Sequence, residues 1–430
     1  MASIVLSFVG NQDPFSDNTR QEGSIVTLVR HLISHHCLLS RVILLHTTAT
    51  QERAELTKEW LADEAQLSGE LVEIIPVDEK LSDDPVNLLL AAQEARKVLE
   101  KTIISLNKGD RLEFNASSGT PVMKSAWSIL QAAGYTPHSR VWQVRNPDRI
   151  NPDQSRVFET NVAVLKNEFD LKVIQRQIND YNYSGALSSL ENSLLDNETI
   201  KALLAYGNYR MAFDFDRAYN SIFPWKEQLD GQFFQQISAL RQKQPEALLK
   251  EVYFKALCKL KNHEYSDFLI QVFSFQENVL KFLLKGKFCS RDSQKKPWKE
   301  IESDICQEIR VFDKGKLYNF LNNYRSDSKW QKWVNQDWLN RPVMLATIEY
   351  FPEFNPCVKP LYYLNDFCQQ RNDSVHQLEG VSDLPNQGEL LVNLRLILKA
   401  ITSLSDTNPF DFLNHRICTL LVEANNQSSF

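Results

Sequence analysis

The sequence predicts two architectures in one chain: an α/β layer with a mostly parallel sheet over residues 1–165, then an all-α region running to residue 430. Three observations predict this. Short β-rich runs alternate with amphipathic stretches of roughly 12–20 residues up to about residue 165, the pattern of right-handed βαβ units. From about Phe169 onward the strand signal fades and apolar residues recur at helical spacing. A length of 430 residues also exceeds one ordinary core and points to two or three domains.

Strands are predicted at 3–9, 41–45, 71–77, 111–114 and 140–144, and helices between them at 19–37, 51–66, 85–104 and 120–133. Asp84-Pro85 and Thr120-Pro121 both read as helix starts, a capping side chain followed by proline at the first helical position. The all-α part is predicted to hold helices at 172–181, 186–195, 199–206, 246–260, 265–284, 298–318, 360–370 and 388–403. A soft boundary within it falls around 240–262, and no fixed-period repeat is read. The expected domains are therefore 1–165, a helical connector at 166–261, and a helical domain at 262–430.

Composition narrows the function. With 43% hydrophobic and 24% charged residues the chain is globular rather than disordered. The formal net charge of −6 excludes a bulk polycation, so any polyanion site must be local. Residues 1–165 carry a net −5 of that total and the remainder −1. Seven scattered cysteines without a C-x-x-C pair suggest neither a disulfide scaffold nor a zinc site, and no metal is expected. No apolar run of 18 residues offers a membrane span, and the first residues read as a strand rather than a leader. The expectation is a cytoplasmic protein with no membrane partner.

Two loops of the α/β part have ligand-site chemistry. The first follows strand one: Val9-Gly10-Asn11-Gln12-Asp13-Pro14-Phe15-Ser16. Glycine permits a sharp turn, and the polar side chains supply donors and acceptors at the carboxyl edge of the sheet. The second follows strand four: Asn115-Ala116-Ser117-Ser118-Gly119-Thr120-Pro121. It is rich in hydroxyls, its glycine allows close backbone approach, and it feeds a helix N-terminus, which favours phosphate. In a strand order 3-2-1-4-5 the two loops flank the switch point and line one crevice. Neither is G-x-G-x-x-G nor a lysine-bearing P-loop, which disfavours ordinary NAD or ATP binding.

The helical part offers Arg371-Asn372-Asp373-Ser374-Val375-His376. An arginine and a histidine five apart suit metal-free RNA cleavage: histidine exchanges protons with the attacking 2′-hydroxyl or the leaving oxygen, and arginine stabilises the phosphorane. Arg30 with His35 or His36, and Arg41 with His46, share the spacing, but they fall on helix one and strand two of the α/β part.

Taken together, these features resemble a known family. The first loop, within Ser7-Phe8-Val9-Gly10-Asn11-Gln12-Asp13-Pro14, and the second, Asn115-Ala116-Ser117-Ser118-Gly119-Thr120, look like those of a Rossmann-like CARF (CRISPR-associated Rossmann fold) domain. The helical half with Arg371 and His376 is similar to a HEPN ribonuclease domain and its R-x4–6-H motif, and Asn372 agrees with the polar residue usual after the arginine. The chain thus resembles the CARF–HEPN ancillary ribonucleases of type III CRISPR antiviral systems over 1–165 and 262–430, and least over 166–261.

The resemblance implies a homodimer whose CARF domains bind cyclic oligoadenylate, an allosteric activator rather than a cofactor. Gly10, Asn11, Gln12, Asp13, Pro14 and Phe15 with Asn115, Ser117, Ser118, Gly119 and Thr120 are the expected ligand residues. Arg371, Asn372 and His376 of both protomers would form one composite site for metal-independent cleavage of single-stranded RNA by 2′-hydroxyl attack. Two alternatives stay open at this point: a non-catalytic CARF-type sensor whose helical domain binds a partner or nucleic acid, and an additional degradation of the activator by the CARF domain itself. Lys281, Lys285, Lys287, Arg291, Lys295, Lys296 and Lys299 form a basic stretch that would guide RNA or merely solubilise, and Glu277 is expected on a solvated face or at the HEPN cleft.

Overall fold

Every predicted strand of the α/β part forms. β1 (Ala2–Phe8), β2 (Leu38–His46), β3 (Val72–Pro76), β4 (Arg111–Asn115) and β5 (Ser139–Val144) build a sheet in the order β3-β2-β1-β4-β5, closed at one edge by β6 (Val157–Thr160). β1 to β5 pair in parallel, and β6 runs antiparallel to β5 with Val144 opposite Val157. The computed structural model describes residues 2–428 except 18, 64–66, 108, 137–138, 152, 161, 192, 291, 325–338, 366, 368–379 and 405–406. The chain divides into two units, one built on Met1–Asp170 and the other on Leu171–Asn426.

β1 is buried on both faces, as expected of a central parallel strand. Ile4, Leu6 and Phe8 join Ala91, Ala95 and Leu99 of α4 (Leu88–Ile104) and Met123 and Trp127 of α5 (Pro121–Ala132). Val5, Val42, Leu44 and Trp142 meet Ile25, Leu28 and Val29 of α1 (Ser24–Ser34) and Ala54 and Leu61 of α2 (Gln51–Asp63). Trp127 stacks on Phe114 at 5.0 Å and lies 5.5 Å from Phe8.

The two expected helix starts part company. Thr120 caps α5 as predicted, Met123 N donating to its Oγ1 at 3.4 Å, with Pro121 at the first position. Asp84-Pro85 starts nothing. A five-residue helix, α3 (Glu79–Asp83), precedes it, and α4 begins at Leu88 with Asn87 as cap, its Oδ1 accepting from Leu90 N at 3.2 Å.

The second unit is helical throughout its described residues. α6 (Ala163–Asn179) contains the division; α7 (Tyr183–Glu191), α8 (Glu198–Met211), α9 (Phe215–Ile222), α10 (Gly231–Arg241) and α11 (Pro245–Lys261) follow. Then come α12 (Tyr265–Phe288), α13 (Trp298–Val311), α14 (Lys316–Asn323), α15 (Arg341–Glu349), α16 (Asn355–Tyr363), α17 (Gln387–Ile401) and α18 (Pro409–Ser428). The single helix predicted at 298–318 is two. Asp313, Lys314 and Gly315 take left-handed conformations, φ 50°, 56° and 83°, which end α13 and redirect the chain. Of the helix predicted at 360–370, residues 360–363 are the end of α16, 364–365 form a turn, and 366 and 368–370 lie outside the described residues.

One core runs from Leu171 to Leu421, so the segments 166–261 and 262–430 share their apolar interior. α18 is tied to the first helices of the unit: Tyr183 donates to Asn414 Oδ1 at 2.8 Å, and Asn414 Nδ2 donates to Ile178 O at 2.8 Å. Within this core Arg210 of α8 forms a bidentate pair with Glu251 of α11, both bonds 2.7 Å and both side chains 3% exposed. Arg210 also donates to Tyr206 and Gln236.

A repeat not read from the sequence is visible in the turns. Asn182-Tyr183-Ser184-Gly185-Ala186-Leu187-Ser188-Ser189-Leu190 recurs thirty-two residues later as Asp214-Phe215-Asp216-Arg217-Ala218-Tyr219-Asn220-Ser221-Ile222. In each, a left-handed residue (Tyr181, Phe213) precedes a capping side chain, and Ala186/Ala218 and Leu190/Ile222 are buried at matching positions.

Removing one member of a buried ion pair strands the other. Arg210→Met therefore costs about 3–5 kcal/mol in the unfolding transition of the helical unit, read by denaturant titration; a loss below about 1 kcal/mol would contradict a structural role for the pair.

Candidate functional site

β1 and β4 are neighbours, with Ser7 opposite Asn115, so the loops that leave them start side by side at the carboxyl edge. They meet at their glycines. A Cβ on Gly10 would stand 2.8 Å from Gly119 N and 3.2 Å from Ser118 Oγ, and Gly119 holds φ +88° with Met123 and Phe8 side-chain atoms 3.1 Å from its own absent Cβ. A side chain at Gly10 would have to displace the backbone of Gly119, and one at Gly119 would need a left-handed conformation and a shift of Met123 or Phe8.

Asp13 joins the loops. Its carboxylate accepts from Gly10 N at 3.1 Å, from Ile25 N at 3.2 Å near the start of α1, and from Ser118 Oγ. The side chain is 1% exposed, and burial holds its carboxyl above the ordinary value of 3.8 although those hydrogen bonds, from Ser118 first, and Lys124 pull it down. Asn115 is also buried: its Nδ2 donates to Ser7 Oγ at 3.1 Å and Ser24 Oγ at 3.3 Å, and its Oδ1 accepts from Ser117 N at 3.0 Å.

The hydroxyls of the second loop have internal partners as well. Ser117 Oγ accepts from Val144 N at 2.7 Å, Ser118 Oγ donates to Asp13, and Thr120 Oγ1 donates to Pro85 O at 2.7 Å. Pro14, like Asp13, Asn115 and Ser118, is buried. Asn11, Gln12 and Phe15 are exposed; Gly10, Ser117, Gly119 and Thr120 are half-buried. The eleven residues expected from the sequence are thus brought together in two layers: buried side chains that brace, and exposed groups and backbone that face outward.

The first loop continues as a small hairpin. Gly23 N donates to Pro14 O at 2.7 Å and Ser16 N to Gln21 O at 2.8 Å. Arg53 of α2 pairs with Asp17 at 2.7 Å, and Phe15 lies edge-on to Trp60 at 6.0 Å. Gly23 is a residue the sequence reading missed: its Cβ would fall 2.3 Å from Gln12 O and 2.5 Å from Asp13 Oδ1. The signal was a glycine directly before a helix that lacks a side-chain cap. His46, at the end of β2, is buried with Nδ1 3.1 Å from Thr47 O.

In the helical unit Arg371, Asn372 and His376 lie outside the described residues. Glu277 pairs with Lys281 one turn away, and Lys287 pairs with Glu353. Lys285 donates to Lys296 O at 2.7 Å and Gln294 O at 3.3 Å, so it closes the turn after α12. Among the described residues no cluster of three or more His, Cys, Asp or Glu could hold a metal ion, and no helix is long and apolar enough to cross a membrane.

No family model matches the chain, and no curated protein matches it by sequence. The sheet is parallel-dominated and Rossmann-like, two loops meet at its carboxyl edge, and an all-α region follows. Among solved structures the chain is similar to Enterococcus italicus Csm6 bound to cyclic hexa-2′-fluoro-hexa-dAMP, with a TM-score of 0.64 and 16% identity, over 98% of this chain and 100% of that one. The chain has the fold of that Csm6.

Asp13 supplies a pH test of the brace. A carboxyl whose pKa is higher folded than unfolded binds more protons in the folded state, so stability falls as pH rises from about 4 through the folded value. Asp13→Asn does not titrate there. The wild type is expected to lose stability relative to Asp13→Asn as pH rises above about 4, measured as the shift in denaturant midpoint; a constant difference would contradict the raised pKa.

Proposed function

We propose that the protein is a cyclic oligoadenylate-activated, metal-independent endoribonuclease of type III CRISPR defence. Residues 1–165 form the sensor, 166–261 a connector, and 262–430 a HEPN ribonuclease domain. The observation that carries this reading is the Gly10–Gly119 crevice at the switch point of a chain sharing its fold, end to end, with a Csm6 bound to a cyclic hexanucleotide analogue. The crevice has the right chemistry for a ring of phosphates and riboses: backbone N–H groups of a glycine loop, the N-terminus of α5, and exposed Asn11 and Gln12.

A ring with two-fold symmetry suits a C2 dimer, in which equivalent loops grip both halves. Val86 and Leu89, 66% and 67% exposed, stand beside the crevice, since Pro85 O holds Thr120 Oγ1. Exposed apolar side chains at this edge support pairing with a second copy. Arg371 and His376 of both protomers then act on RNA, His376 moving protons between the 2′-hydroxyl and the leaving oxygen, Arg371 balancing the phosphorane charge, and Asn372 orienting the pair.

The test is cleavage of a single-stranded RNA oligonucleotide in EDTA, with cyclic tri-, tetra- and hexa-adenylate in parallel. One ring is expected to activate cleavage to products ending in 2′,3′-cyclic phosphate, and His376→Ala to reduce the rate by about 10²–10⁴-fold. Inactivity with every ring, or an unchanged rate in His376→Ala, would contradict the reading. Leu89→Asp is expected to shift the protein to monomer in sedimentation and to abolish activation, because a charge at a two-fold interface meets its own copy. A Leu89→Asp chain that stays dimeric and activatable would remove this edge from the interface.

A further inference from the structure

A third segment meets the two ligand loops at the carboxyl edge, and the sequence reading gave it no part: the chain between β5 and β6, residues 145–156. It is fastened to both loops. Val144, the last residue of β5, donates its N–H to Ser117 Oγ of the second loop at 2.7 Å, and Ala116 N donates to Trp142 O at 2.9 Å. On the other side Arg156 Nη2 donates to Glu22 O at 2.7 Å. Glu22 directly precedes Gly23, whose N–H bonds Pro14 O of the first loop at 2.7 Å.

The three arginines of this segment have different surroundings. Arg145 braces the turn: its N–H bonds Arg156 O at 2.8 Å, its guanidinium donates to Ser155 O, and its Cζ lies 3.7 Å over the Phe158 ring. Arg156 is half-buried and committed to Glu22 O. Arg149 closes a short turn capped by Asn146, whose Oδ1 accepts from Asp148 N at 3.0 Å and whose carbonyl accepts from Arg149 N at 3.0 Å. The Arg149 side chain is exposed and has no hydrogen-bond or ion-pair partner among the described residues. The acids of the segment are Asp148 and Asp153, so its arginines outnumber them within a region of net acidic charge. A guanidinium that the fold leaves unused matches the geometry of a phosphate, and a charge-assisted bond is roughly twice as strong as a neutral one. We infer that the β5–β6 segment is a third wall of the activator crevice: Arg149 bonds a phosphate of the bound cyclic oligonucleotide, and Arg156 is the positioning residue that holds this wall against the first loop. This rests on the proposed activator reading of the crevice.

Calorimetric titration with cyclic tri-, tetra- and hexa-adenylate separates the two roles. Arg149→Ala is expected to raise the Kd of the ring that binds wild type by about tenfold and to flatten its dependence on salt, because one phosphate contact is lost. Its far-UV circular dichroism and unfolding midpoint are expected to match wild type, since nothing in the fold uses that side chain. Arg156→Ala is expected to raise Kd by about fivefold or more, whereas Arg156→Lys, which still donates to Glu22 O, restores it to within about twofold of wild type. A Kd within about twofold of wild type for either alanine variant overturns the inference, as does an Arg156→Lys chain as impaired as Arg156→Ala. If wild type binds none of the three rings, the activator reading fails and carries this inference with it. If wild type binds a ring and both alanine variants bind it equally well, the inference alone fails.

Discussion

The approach of Gly10 to Gly119 is the constraint on which the loop pair of the first unit depends. Backbone meets backbone there at a distance that no Cβ permits, and the contact holds because Asp13 bonds to both loops at once. Its carboxylate collects three donors in a buried setting, where charge-assisted bonds are strong and an unmade one is expensive. Asn115 does the same for β4 and the start of α1 through Ser7 and Ser24. The loop pair is therefore braced by its own hydrogen bonds, and a ligand of the proposed kind would meet a preorganised site at a lower ordering cost.

On the proposed reading, this arrangement is how residues 1–165, of net charge −5, would accept a polyanion. Charge attraction at long range works against it, so recognition falls to short-range groups: amides of the glycine loops, the α5 N-terminus and the exposed polar side chains. A site of that kind favours one shape of phosphate ligand and gives little to nucleic acid in general. Selectivity and an acidic surface are then two sides of one design.

The sheet was legible because central parallel strands are buried on both faces and read as apolar runs. β6 was not, being four residues long and antiparallel at an edge. The two loops were legible in place but not in layer. Polar side chains such as Asp13, Asn115 and Ser118 look alike in sequence whether they face a ligand or brace a turn, and only burial separates them. The cap at Asn87 displaced the expected start at Asp84 because proline marks a turn as readily as a helix. The capped turns at Asn182 and Asp214 escaped notice because the sequence match between them is loose and occurs at one spacing. The Arg371–His376 motif rests on spacing in a polar stretch, for which the sequence remains the ground.

The most direct test of the central claim is a calorimetric titration of the protein with cyclic tri-, tetra- and hexa-adenylate in turn, run alongside Gly10→Val. The account predicts that one of these rings binds the wild type at one ring per two chains, and that none binds Gly10→Val, whose helical content is unchanged. Absence of binding by the wild type to rings of three, four and six nucleotides, or equal binding by Gly10→Val, would contradict it.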